Sequence, residues 1–175
     1  MSLSKTSWKP LRLNYRGESK KNIFWIGIEA SLTKALKAKS RAPIRVSLLG
    51  QKLSYPSAEE IKEMGLGRKR LALTREVLIS SGNDPWVYAK SIMITNSHLH
   101  YLRCFKKNLE SKGMGDVIFA RKGEVKRKYL RKNNYPALIA EQAIKISFSR
   151  KSLLDFKGIS ILLYECFTES FYVQN

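Results

Sequence analysis

The chain has 175 residues, 43% of them hydrophobic and 10% aromatic, enough to bury about two-thirds of the unfolded surface in one domain, which excludes a disordered chain. Thirty-three Lys and Arg against fourteen Asp and Glu leave a formal charge of +19, so the expected partners are anionic: nucleic acid, a membrane surface or a small acid. No apolar run reaches the roughly 20 residues of a spanning helix. Residues 1–22 are basic and hold no apolar segment of the signal-peptide kind, which makes the cytoplasm the expected location.

Residues 1–22 read as a loosely attached lead-in to one domain spanning 1–175, and residues 23–28 are apolar and aromatic. Ser31 can cap a helix through Lys39, with Leu32, Ala35 and Leu36 on one face and lysines on the other. Residues 44–49 alternate as a strand. Ser57 and Glu60 have the spacing of a capping box, for a short helix ending at Gly65. The segment MGLGRKR (64–70) has two glycines and three cations but lacks the further glycine and the preceding strand of a nucleotide fingerprint. It reads as a lead into the next strand.

Residues 71–94 read as two strands around a turn at Gly82, Asn83, Asp84 and Pro85. Leu71, Leu73, Val77 and Ile79 form an apolar row with Arg75 in its middle. On the return strand Trp86, Tyr88, Lys90, Ile92 and Ile94 share a row, so Lys90 lies among aromatics, either snorkelling to an edge or binding an anion. Leu99, Leu102, Phe105 and Leu109 fall at helical spacing within 97–110. Gly113 and Gly115 flank Met114, where the backbone is free to turn and its amides could receive an anion, a plain connecting turn being the alternative. Residues 121–132 are dense in Lys and Arg, a solvated face or a nucleic-acid contact. Ile144, Ile146 and Phe148 alternate as a strand. DFKG (155–158) turns into a last strand, where Ile159, Ile161, Leu163 and Phe167 share their row with Glu165.

Arg75 and Glu165 are thus two charges set among hydrophobes, and each needs a partner, solvent or a ligand. They could form a mutual salt bridge inside the sheet or sit on an exposed sheet-edge row. Alternatively they could floor a pocket in which Arg75 holds a carboxylate and Glu165 meets another polar group of the same small molecule. Cys104 and Cys166 have no metal-ligand spacing and read as free thiols, while His98 and His100 read as surface residues.

Several short stretches, in order, resemble the bacterial chorismate lyase family: SLTK (31–34), REVL (75–78), DPW (84–86), AKS (89–91), the MG pair at 114–115 ahead of an IF pair, and LLYECF (162–167). The resemblance covers roughly residues 25 to 170. It implies an α+β fold, a single antiparallel β-sheet with flanking helices and an enclosed ligand cavity behind flap-like segments. It also implies removal of pyruvate from chorismate to give 4-hydroxybenzoate, the first step of ubiquinone biosynthesis, without metal or organic cofactor and by a monomer. Arg75 then falls where the family holds the ring carboxylate and Glu165 where it meets the hydroxyl end. Leu32, Met114 and Gly115 fall where it closes over the ligand, and Lys90 where an arginine is usual. Further departures are Asp116 and residues 139–143.

A glutamate in an apolar cavity is expected to have a raised pKa. Two other functions fit parts of the sequence. A ligand-sensing module of the same fold would bind without catalysis, and a basic RNA-binding protein would use the charge and the 121–132 run.

Overall fold

The computed structural model describes residues 9–10, 20–95, 99–111, 113–119, 124–133, 137–139 and 144–174. Most of the lead-in, His98, the side chain of His100 and the first residues of the basic run (121–123) lie outside the described residues. In chain order the elements are β1 (Lys9–Pro10), α1 (Lys20–Gly27), α2 (Leu32–Lys39), β2 (Ile44–Ser54), α3 (Ala58–Glu63), β3 (Ala72–Ser81) and β4 (Asp84–Thr95). They continue with α4 (Leu99–Ser111), α5 (Met114–Ile118), β5 (Val125–Asn133), β6 (Ala137–Ile139), β7 (Ile144–Phe156), β8 (Ile159–Thr168) and α6 (Glu169–Gln174).

All eight strands belong to one sheet in the order β1-β5-β7-β8-β4-β3-β2, with β6 paired to β7. Every pairing is antiparallel. The architecture is the expected α+β one, a single antiparallel sheet with helices against it. Two tight hairpins set its centre. The β7–β8 turn is Lys157–Gly158, with φ of 50° and 76°, both in the left-handed region that a two-residue hairpin needs. The 71–94 hairpin turns through Gly82 and Asn83, so Asp84 and Pro85 already belong to the return strand.

Alternation gives the sheet two faces with separate cores. One face carries Leu73, Met93, Ile161, Leu163 and Leu154 toward α4 and α5, whose Leu102, Phe105, Leu109 and Ile118 complete a cluster. Further along it, Ile79, Val87, Phe148 and Phe167 meet Trp25, Ile26, Leu32, Leu36 and Phe171 from α1, α2 and α6. Phe148 and Phe167 stack at 4.4 Å, and Phe171 meets Trp25 edge-on at 5.1 Å. Burying each such ring contributes about 1.5–3 kcal/mol.

The opposite face is covered by α3. Its capping box is formed, with Glu60 N–H donating to the Ser57 hydroxyl and Ser57 N–H to Glu60. Met64 then seats against Ala72, Ile92, Ile94, Leu153, Leu162 and Tyr164. Two ion pairs tie the helix down, Lys90–Glu60 at 3.0 Å and Lys151–Glu63 at 2.5 Å. Among the described residues no helix is long and apolar enough to cross a membrane.

Candidate active site

The two clusters on the helical face do not meet. Between them β4 presents Ala89 and Ser91, whose short side chains leave space where neighbouring positions would fill it. The register places Ser91 between Arg75 on β3 and Leu163 on β8, and Ala89 between Val77 and Glu165. Arg75 and Glu165 therefore stand two strands and two residues apart, about 12 Å at the usual strand spacing and rise, across a floor of small residues. The cavity above this floor is lined further by Val46, Ile79 and Phe119, and roofed by Ser31, Leu32 and Thr33 of the α2 start and Gly113, Met114 and Gly115 of the α5 start. It admits the centre of a water molecule over about 60 Å³. That is room for roughly four to six waters, the scale of one ring with a polar group at each end.

Arg75 is 7% exposed. Its Nη1 donates to Gln51 Oε1 at 2.9 Å, the residue directly across on β2. Among the described residues it makes no ion pair with a carboxylate. Burial pushes its pKa down, the cost of holding a guanidinium in the cavity wall beside a neutral amide. Of the alternatives left open by the sequence, the mutual salt bridge with Glu165 is not formed.

Glu165 has a different partner. Arg150 of β7, directly opposite in register, donates from Nε to Oε2 at 2.6 Å and from Nη2 to Oε1 at 3.0 Å. Arg150 is 1% exposed, and its Nη1 reaches the carbonyls of Trp25 at 3.1 Å, Ile26 at 3.2 Å and Ile28 at 2.7 Å. These carbonyls close and follow α1, so one guanidinium caps the helix C-terminus and grips the carboxylate. Glu165 thus faces a largely apolar cavity with a cation behind it. It is held as an acceptor.

Arg127 sits beside this pair. It donates to the Ser152 hydroxyl and, at 3.0 Å, to the Glu29 carbonyl. Burial and the neighbouring Arg150 charge pull its pKa down to about 10, against Glu165 and Glu29. The 121–132 run is therefore not simply a solvated face. It supplies most of β5, and Arg127 turns inward to hold the chain at Glu29.

The roof depends on Gly115. A Cβ there would lie 2.6 Å from Ser31 Oγ, so only glycine lets α5 approach the α2 start this closely. From sequence the 113–115 glycines read as either a plain connecting turn or amides receiving an anion. Gly113, φ −64°, is the residue before α5, and close packing is the reason for Gly115. Ser31 meanwhile caps α2, accepting from Lys34 N–H at 3.3 Å.

Lys90 does not belong to this site. Alternation sends it to the opposite face from Ala89 and Ser91, where it pairs with Glu60 and approaches the Tyr164 ring at 6.0 Å. Cys104 and Cys166 are free thiols, as expected. Burial pushes the Cys166 pKa up to about 11, against the Ser149 hydrogen bond. Leu32 and Met114 line the cavity, and Gln51, Ser91 and Arg150 were missed. Arg150 shares the helical face with Phe148, but Ile144 and Ile146, read as one row with Phe148, lie on the opposite face across an irregularity in β7, so that row does not lead to it.

Fold and site together define a class of protein in which one antiparallel sheet, roofed by helix ends, encloses a small cavity with a cation at one end and a carboxylate at the other. The sequence matches the family model for chorismate lyase over residues 3–175, and the chain belongs to that enzyme family. Proteins described as probable chorismate pyruvate-lyases include one from Nitrosospira multiformis, 30% identical over 83% of this chain and 85% of its own, and one from Psychrobacter cryohalolentis, 31% identical over 84% of each. The alignment with a Marinobacter nauticus protein of the same description is 33% identical but spans 55% of this chain and 51% of that one. Among solved structures, a domain described as the ligand-binding domain of a GntR-family transcriptional regulator from Bordetella bronchiseptica matches with a TM-score of 0.50. It is 11% identical, covers 74% of this chain and 86% of that one, and so shares the fold alone.

Proposed function

We propose that the protein removes pyruvate from chorismate to leave 4-hydroxybenzoate, as the first step of ubiquinone biosynthesis, in the cytoplasm and as a monomer. The observation that carries this reading is Arg75: a guanidinium 7% exposed, on a cavity wall, bonded to neutral Gln51. Such a group asks for an anion from outside the protein. The ring carboxylate meets Arg75, and the hydroxyl at the far end of the ring donates to Glu165.

The reaction breaks the ether bond of the enolpyruvyl group and the C–H bond at the ring carbon bearing the hydroxyl. That proton ends on the departing methylene, giving pyruvate, and the ring becomes aromatic. The bond changes therefore occur at the Glu165 end, while Arg75 anchors the other. Fixing the ring at both ends holds the reactive conformer. The α2 N-terminus supplies partial positive charge near the oxygen on which charge develops. Leu32 and Met114 exclude water from above.

Incubating purified protein with chorismate and following 4-hydroxybenzoate by absorbance and pyruvate by enzymatic reduction tests the reading. Equal molar release supports it. Binding of 4-hydroxybenzoate without any release from chorismate would make the protein a sensing module instead.

A further inference from the structure

Strand β2 closes one end of the sheet and has no strand on its outer side among the described residues. It exposes apolar side chains that a free edge of a soluble protein usually avoids: Val46 at 38%, Leu48 at 50% and Leu49 at 40%, followed by Tyr55 at 62%. Leu49 is the extra residue of a bulge, since Leu48 pairs with Val77 and Gly50 with Glu76.

The charge of the 30–58 segment that forms this edge has one sign. Lys34, Lys37, Lys39, Arg41, Arg45 and Lys52 are all exposed, and no Asp or Glu occurs between Glu29 and Glu59. Lys69 adds a cation 5.2 Å from the Tyr55 ring centroid. Apolar side chains set among cations, with an aromatic at the margin, match the layered chemistry of an anionic bilayer surface, where headgroup phosphates overlie acyl chains.

We propose that the β2 edge, with the flanking α2 lysines, docks the protein on membranes that carry anionic lipid. A second copy is the poorer occupant. Two such edges would bring six like charges from each side together, and the Leu49 bulge interrupts the ladder that edge-to-edge pairing requires. Docking also places the cavity mouth at the bilayer, because Val46 and the α2 start belong to both surfaces. An aromatic acid leaving the cavity would then be released at the lipid surface.

The test is co-sedimentation with vesicles of phosphatidylcholine alone or with about 30% phosphatidylglycerol, at low salt and at about 0.15 M salt. Wild type should bind the anionic vesicles at least about tenfold more tightly than the neutral ones. Leu48→Ser with Leu49→Ser should weaken binding roughly tenfold at the higher salt while leaving low-salt attraction. Lys37→Glu, Lys39→Glu and Arg45→Glu together should abolish both. All are exposed positions, so melts should match wild type, and if the leucine pair fails to fold, Tyr55→Ser carries the same expectation. Leucine variants that bind as wild type at both salts would reduce the attraction to bulk charge and overturn the proposal. So would a wild-type dimer that the leucine substitutions dissolve, which would assign the edge to a second copy.

Discussion

Two buried arginines of one sheet face should respond very unequally to the same substitution. Arg150→Met removes one member of a bidentate buried pair and strands the Glu165 carboxylate together with the carbonyls of Trp25, Ile26 and Ile28. Breaking such a pair costs about 3–5 kcal/mol, and a chain of this size loses about 2–4 °C per kcal/mol. The melt should fall by about 6–20 °C on that scaling. Arg75→Met breaks the bond to Gln51, worth about 1.5–3 kcal/mol, but also removes a desolvated charge whose penalty is of similar or larger size. Its melt should fall by no more than about 4 °C, and could rise.

Ligand reverses the comparison. At a hundred times its Kd, 4-hydroxybenzoate stabilises wild type by about 2.7 kcal/mol. Losing about 2–4 kcal/mol of carboxylate binding in Arg75→Met cuts that stabilisation to under about 0.9 kcal/mol at the same concentration. Thermal melts of wild type and both variants, with and without 4-hydroxybenzoate, read all of this. An Arg75→Met protein that loses more than about 3 kcal/mol of stability and is still stabilised as wild type would refute the assignment of Arg75 to ligand rather than to the fold.

Glu165→Gln leaves Arg150 without its counter-charge and should cost about 2–4 kcal/mol, while turnover falls by about 10²-fold or more in a chorismate assay. Gly115→Ala should push α5 off Ser31 and raise KM for chorismate, at a stability cost of about 1–3 kcal/mol. Ser31→Gly added to it should recover part of both, which a double-mutant cycle measures. At Glu60 burial raises the pKa, but the Ser57 backbone N–H and Lys90 outweigh it, so the net shift is downward from 4.5. Its contribution to stability is therefore present above that value and lost as pH falls through the lower folded pKa. Acid unfolding followed from pH 6 to about pH 3 should show Glu60→Gln with a flatter acid limb than wild type.

The hairpins, the α2 and α3 caps and the two faces of the sheet were legible because each rests on neighbours in sequence. Arg75 and Glu165 stood out for the same reason, as breaks in a period of two. Their partners did not, since Gln51 and Arg150 reach them across strand pairings that local pattern cannot order. Nor does the alternation read from residue 144 lead to Arg150, because β7 shifts register between Ile146 and Phe148 and the residues before and after that point alternate onto different faces. Lys90 shows the converse: Tyr88, Ile92 and Ile94 share its face as read, while Trp86 leaves the row where the β3–β4 register shifts, and the role carried to Lys90 by resemblance put it on the face where the cavity is not. Gly115 is legible only in three dimensions, because what it avoids is Ser31, 84 residues away.

A structure of the protein with 4-hydroxybenzoate bound is the most direct measurement of the central claim. The ring should lie over Ala89 and Ser91, with its carboxylate about 2.8 Å from the Arg75 guanidinium and its hydroxyl at hydrogen-bond distance from Glu165, still gripped by Arg150. A ligand bound in the reverse orientation, or bound elsewhere with Arg75 still on Gln51 alone, would contradict it.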